Sequence, residues 1–155
     1  MATVSLSLDE IYKLANKTLL ANGCDQETAD ILSELITNAE KDGSLSHGLF
    51  RLPAYVSGLK SGKINGKQKP DIKKLTPSVI KADGKNCLAP VVLNKSIPEL
   101  VKAAKENGVA VLAIINSHHM AAMWPETEKI ADEGLVAFAC TSYKPAVAPA
   151  GAIKP

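Results

Sequence analysis

The chain has 155 residues, 46% of them hydrophobic and 22% charged, with a net charge of +2. That is enough chain for one domain with a real core, and the charge offers no attraction for nucleic acid or anionic membrane. Aromatic residues are only 4%, too few for a stacking platform on single strands, and no apolar run reaches the roughly 18 residues a membrane helix needs.

Ser7 and Glu10 form a capping box that predicts a first helix. Ile11, Leu14 and Leu19 supply its apolar stripe, and Asn22-Gly23 ends it. Asp25 is placed to cap a second helix with a stripe of Ala29, Leu32, Leu35 or Ile36, and Ala39, stopped by Asp42-Gly43. A third helix is expected over Ser46 to Leu59, with Pro53 inside the span able to kink or split it. Residues 61–77 are rich in Lys, Gly and Pro without a clear period, and read as an extended loop.

After this loop the pattern changes to alternating strands and helices. A short strand is expected at Val79–Ala82, with a turn at Asp83-Gly84. A helix carrying Leu100, Val101 and Ala104 follows and ends at Asn107-Gly108. Val109–Ile115 reads as a buried strand, Ala121 to Glu133 as a helix closed by Gly134, and Leu135–Thr141 as another strand. Strand, helix, strand in this order means a right-handed crossover and a parallel sheet. The organisation read from the chain is therefore α/β: a helical segment 1–60, a linking loop 61–77, and the start of an α/β domain over 78–155. The ending is rich in proline (Pro145, Pro149, Pro155), and about three strands are few for a covered sheet. The expectation is an apparently truncated fold, the N-terminal part of a longer protein.

All three histidines fall in two clusters, Ser46-His47-Gly48-Leu-Phe-Arg51 and Asn116-Ser-His-His-Met-Ala-Ala-Met-Trp-Pro125. If residues 46 to 59 are helical, His47 and Arg51 stand at i and i+4 on one face. Arg51 can then fork a carboxylate, His47 can pass a proton near neutral pH, and Ser46 can orient the imidazole. The alternative is an N-cap serine beside a solvated His and Arg. The second cluster ends a strand, where α/β proteins place ligands. Adjacent His118 and His119 point in different directions and have no carboxylate at i+3 or i+4, which disfavours a metal. Ala121 and Ala122 are small enough for a cofactor to approach the backbone of the following helix. Met120, Met123 and Trp124 are also compatible with ordinary core, the preferred reading for Trp124. Neither G-x-G-x-x-G nor G-x-x-x-x-G-K-[ST] is present, nor a nucleophile elbow for a Ser-His hydrolase. Cys24, Cys87 and Cys140 are widely spaced and odd in number, so they read as reduced intracellular thiols. Met1 to Ser5 lacks the basic and apolar regions of a signal peptide.

Asp42-Gly-Ser-Leu-Ser-His-Gly-Leu-Phe-Arg-Leu-Pro-Ala-Tyr55 resembles the signature of the malate/L-lactate dehydrogenase-like oxidoreductases, which are NAD(P)-dependent and have a non-Rossmann fold. Ile115-Asn-Ser-His-His119 and Pro145-Ala-Val-Ala-Pro-Ala-Gly151 resemble two further motifs of that family, in the same order. Met120-Ala-Ala-Met-Trp-Pro125, where many relatives carry Phe-Gly at the first two positions, looks most like the Δ1-piperideine-2-carboxylate/Δ1-pyrroline-2-carboxylate reductases.

The resemblance implies Ser46 and His47 as the catalytic pair, with His47 the proton donor, and Arg51 as the clamp on the substrate carboxylate. It implies His119, Met120, Ala121, Ala122 and Met123 as lining for the cofactor, NADPH or else NADH. Hydroxy-acid relatives use the histidine corresponding to His119 as acid/base. The implied reaction is hydride transfer to C2 of a cyclic imine acid, by a cytoplasmic homodimer with no metal, nucleic acid or membrane partner. The implied full length is roughly twice this chain, about one further domain. A 2-hydroxy-acid dehydrogenase, and a non-catalytic product that binds full-length subunits, are the alternatives.

Overall fold

The computed structural model describes residues 4–118, 121–141 and 150–152. Helix α1 spans Leu8–Ala21 and starts at the expected capping box: Glu10 N–H donates to Ser7 Oγ at 3.3 Å, and Ser7 N–H donates to Glu10 Oε2 at 2.8 Å. Its buried face is Ile11, Ala15 and Leu19, while Leu14, expected in the stripe, is about half exposed. Helix α2, Gln26–Lys41, begins where Asp25 accepts the Thr28 amide at 2.9 Å. It buries Ala29, Leu32, Ile36 and Ala39, and Ser33 on the same face donates back to the Ala29 carbonyl.

The third helix is a correction. Instead of running from Ser46, the chain makes two 3-10 turns, Leu45–His47 and Leu49–Arg51, before helix α3, Leu52–Lys60. Pro53 explains where the α-helix can begin. It has no N–H to donate four residues back, and its ring would collide with the carbonyl there. In the first turn of α3 neither matters. The loop expected over 61–77 also contains a strand, β1, Asp71–Thr76. It pairs antiparallel with β2, Val79–Asp83, with a register shift between Lys74 and Thr76.

Helix α4, Ala89–Asn107, returns the chain to β3, Val111–Ile115, which lies parallel to β2 with Val79 opposite Val111 and Asp83 opposite Ile115. The order β1-β2-β3 makes a mixed three-stranded sheet with one parallel βαβ unit, as the alternation predicts. Helix α5, Trp124–Ala131, begins later than expected. Residues 135–141, read as a strand, form no ladder. Burial alternates residue by residue over 135–140, and Val136 and Phe138 are 100% and 91% exposed. The period-2 signal is present, but a strand exists only where a neighbouring strand pairs with it, and no described strand pairs with this segment.

One core joins the helical and α/β parts. Leu19, Leu32, Ile36 and Tyr55 pack with Ala82, Leu88, Val91 and Val92, and Ile72, Leu112 and Ile114 of the sheet cover the cluster. This shared core positions the ends of α2, β2 and β3 relative to the turns that carry Ser46, His47 and Arg51. No helix among the described residues is long and apolar enough to cross a membrane.

Candidate active site

The carboxyl edge of the parallel strands is closed by backbone. Gly84 N–H donates to Ile115 O at 2.9 Å and Asn86 N–H to Asn116 O at 2.8 Å. His118 then bridges to Leu88: its N–H reaches Cys87 O at 3.0 Å, and its carbonyl accepts Ala89 N–H at 2.9 Å. The strand after β3 therefore runs against the start of α4. Gly84 is required by space, since a Cβ there would stand 2.9 Å from Asn116 O. Asn116 turns the chain with φ +51°, a left-handed conformation that asparagine tolerates better than most residues. Asp83 accepts from its side-chain amide at 3.1 Å.

The Ser-His turn is held differently from the helical expectation. His47 N–H donates to Ser44 O at 2.8 Å, and Arg51 N–H to Gly48 O at 3.0 Å, so each residue closes its own 3-10 turn. His47 and Arg51 are thus not successive positions on one α-helical face, because Gly48 separates the two turns. The Nδ1 of His47 lies 2.9 Å from Ser46 Oγ and 3.3 Å from Ser44 Oγ. Ser46 was expected to orient the imidazole; Ser44 adds a second hydroxyl. Both face Nδ1, on the opposite side of the ring from Nε2.

Arg51, the only arginine of the chain, is partly buried and forms no ion pair with any described carboxylate. Its Nε is buried without a hydrogen-bond partner among the described residues. A buried guanidinium edge with open donors is what a small carboxylate needs. One helical turn on, Tyr55 is wholly buried. Burial pushes its phenol up to about 12, against a smaller opposing pull from Arg51.

The two histidine clusters meet through Trp124. Its ring stands edge-on to His47, with centroids 6.1 Å apart and planes at 72°. Trp124 opens α5 and is only partly buried, so it borders the imidazole, where composition favoured core. Neither Ser44 nor the contact of Trp124 with His47 stands out in the sequence. Ser44 looks like a helix cap, and the Trp124 contact spans 77 residues of chain (124 minus 47).

His119 and Met120 lie outside the described residues, as do Pro145 to Pro149 of the third motif. Ala121 and Ala122 are buried, and Met123 is the partly buried N-cap of α5. This short segment is uncharged and fits the neutral nicotinamide end of a dinucleotide. The first turn of α5 suits a phosphate less well, since Pro125 offers no amide and Glu126 brings a negative charge. No group of three metal-ligating side chains occurs among the described residues.

Comparison with known proteins identifies the family of the chain. The chain is 40% identical over 152 residues to a Δ1-pyrroline-2-carboxylate reductase of Ancylobacter novellus, covering 98% of this chain and 45% of that protein. The crystal structure of Δ1-piperideine-2-carboxylate reductase from Pseudomonas syringae pv. tomato superposes with a TM-score of 0.81 at 37% identity, over 85% of this chain and 40% of that one. A malate dehydrogenase from Pyrococcus horikoshii gives 0.78 at 29% identity, over 84% and 38%. The chain thus spans about half the length of the curated relatives it matches. With the malate/L-lactate dehydrogenase model matching residues 6–155, the chain belongs to the malate/L-lactate dehydrogenase family.

Proposed function

We propose that this chain carries the substrate-activating part of an NAD(P)H-dependent reductase of cyclic imine acids, which converts Δ1-pyrroline-2-carboxylate to proline and Δ1-piperideine-2-carboxylate to pipecolate. The observation that carries the reading is a partly buried Arg51, in no ion pair with a described carboxylate, beside His47 in consecutive turns of one short loop. The names of the two reductases to which this chain is 40% and 37% identical support the substrate class.

In this mechanism Arg51 grips the carboxylate through two parallel N–H donors, which fixes the direction of the adjacent C2. His47 gives a proton through Nε2 to the imine nitrogen, making C2 more electrophilic. Ser46 and Ser44 hold Nδ1, so the ring keeps its aim as its charge changes. The edge of Trp124 limits ring rotation. A nicotinamide, when bound, supplies the hydride to C2; Ala121 to Met123, with His119 and Met120, would line its neutral end. The product gains one C–H and one N–H bond and leaves His47 to be reprotonated from solvent. NADPH as the preferred carrier, assembly as a homodimer and a cytoplasmic location belong to the same proposal.

A second reading, a 2-hydroxy-acid dehydrogenase, is favoured by the superposition on a malate dehydrogenase. The same Arg51 would hold a 2-oxo acid, and His47 would protonate the carbonyl oxygen in place of the imine nitrogen. The test is NADPH oxidation with both imine acids, alongside malate and lactate oxidation. It is run on the 155-residue chain and on a form extended beyond Pro155. Imine-dependent turnover in either form is the expected result. Turnover of malate or lactate with none of the imines would overturn the substrate class.

A further inference from the structure

We propose that Glu40 is a positioning residue which holds the His47–Arg51 loop in shape from the end of α2, a role that rests on reading this loop as the substrate site. Glu40 is the penultimate residue of α2. There a carboxylate faces the negative end of the helix dipole, where a lysine or arginine is the stabilising choice. No described cation forms an ion pair with it. Neither local electrostatics nor an ion pair explains a glutamate at this place.

What the side chain does is cap another element. Its Oε1 accepts the Leu49 N–H at 2.7 Å. Leu49 opens the second 3-10 turn, and the first amides of any such turn have no acceptor within it. Gly48, the N-cap of that turn, has no side chain to supply one. Glu40 supplies it from nine residues upstream. The carboxylate reaches Leu49 through the space a side chain at 48 would fill. A Cβ on Gly48 would overlap Glu40 Oε1 and stand 2.5 Å from Cδ and 2.7 Å from Cγ. The φ of Gly48 is −87°, so glycine is needed here for room and not for a left-handed backbone. An alanine fits only if the carboxylate moves, and moving it releases the Leu49 amide.

The other side of His47 is held by the same helix end, with Ser44 N–H donating to Ala39 O at 2.8 Å. The last turn of α2 therefore grips the loop before His47 and after it. The grip on the far side is a single side chain, and Arg51 closes its turn on the Gly48 carbonyl next to it.

The test compares Glu40→Ala, Glu40→Gln and Gly48→Ala. It reads Leu49 amide exchange and the His47 ring titration by NMR, and kcat and KM for the imine acids in the form that turns them over. Glu40→Ala is expected to lose Leu49 protection, shift the His47 titration and lower kcat/KM about tenfold or more, with KM carrying part of the loss because Arg51 moves. Glu40→Gln keeps an acceptor oxygen at the same reach and is expected to restore kcat/KM to within about threefold. Gly48→Ala is expected to reproduce Glu40→Ala with Glu40 still present, which keeps the proposal testable if Glu40→Ala does not fold. Unchanged Leu49 exchange and His47 titration in Glu40→Ala would overturn it, as would a Gln variant as impaired as the Ala variant. If the wild-type chain reduces no imine acid, the functional reading falls, while the two NMR readouts still decide the role of Glu40.

Discussion

Replacing Ser46 by alanine leaves His47 with one hydroxyl where it had two. Its Nδ1 lies 2.9 Å from Ser46 Oγ and 3.3 Å from Ser44 Oγ. A ring nitrogen offers one in-plane position, so the two hydroxyls share it, and the shorter contact is the stronger bond. A hydrogen bond of this kind has a net worth of about 1 kcal/mol, roughly fivefold in rate if all of it orients the ring. In Ser46→Ala the Ser44 hydroxyl remains and takes over part of the position, so kcat/KM is expected to fall only about two- to fivefold. Ser44→Ala alone, which removes the longer contact, is expected to cost about twofold or less. The double variant leaves Nδ1 with neither hydroxyl, and because an unsatisfied polar atom costs about 1–3 kcal/mol, more than the net worth of the bond, it is expected to lose about 30-fold, more than the product of the single losses. The assay is a double-mutant cycle on kcat/KM for the imine acid, with the His47 tautomer followed by nitrogen NMR. A Ser46→Ala loss equal to that of the double variant would refute the reasoning, because Ser44 would then contribute nothing. A strictly multiplicative double variant would refute it from the other side, since the hydroxyls would not be competing for one nitrogen.

Two further outcomes follow from burial. The Tyr55 phenol, raised by burial from 10 to about 12, adds stability that is complete below pH 10 and is lost as pH rises through about 12. This amounts to about 2–3 kcal/mol. In Tyr55→Phe the last component of the 295 nm titration should vanish and alkaline unfolding should be less steep; an unchanged titration curve would contradict the assignment. Val136 and Phe138 project into solvent, so Val136→Ser/Phe138→Ser should reduce binding of an apolar dye while changing stability by less than about 0.5 kcal/mol. A larger loss in chemical denaturation would mean that these side chains are covered in the folded chain.

Features set by neighbours in sequence were readable from the sequence, and those set by neighbours in space were not. The caps at Ser7 and Asp25 require only residues three positions away, and both form as expected. Strand β1 went unread because Asp71-Ile-Lys-Lys-Leu-Thr76 carries two apolar residues among lysines. An edge strand has this composition when it keeps further strands from pairing with it. The segment Leu135–Thr141 fails the other way. It carries a clear period-2 pattern, but pairing depends on a neighbour that no local pattern encodes.

The site divides along the same line. Ser46, His47 and Arg51 stand out because a hydroxyl, an imidazole and the chain's only guanidinium fall within six residues, and because the motif resembles a known family. Their i, i+4 spacing suggested a shared helical face, yet Pro53 moves the helix start to Leu52, and Gly48 divides the approach into two turns. That division leaves Leu49 with an amide no local group can accept, and Glu40 reaches it only because residue 48 has no side chain. Read along the chain, Glu40 is a charge near a helix end and Gly48 a turn residue. Their joint role appears only once α2 and the loop are brought together, so a change at either position should be felt at His47 although neither bears a group that meets substrate.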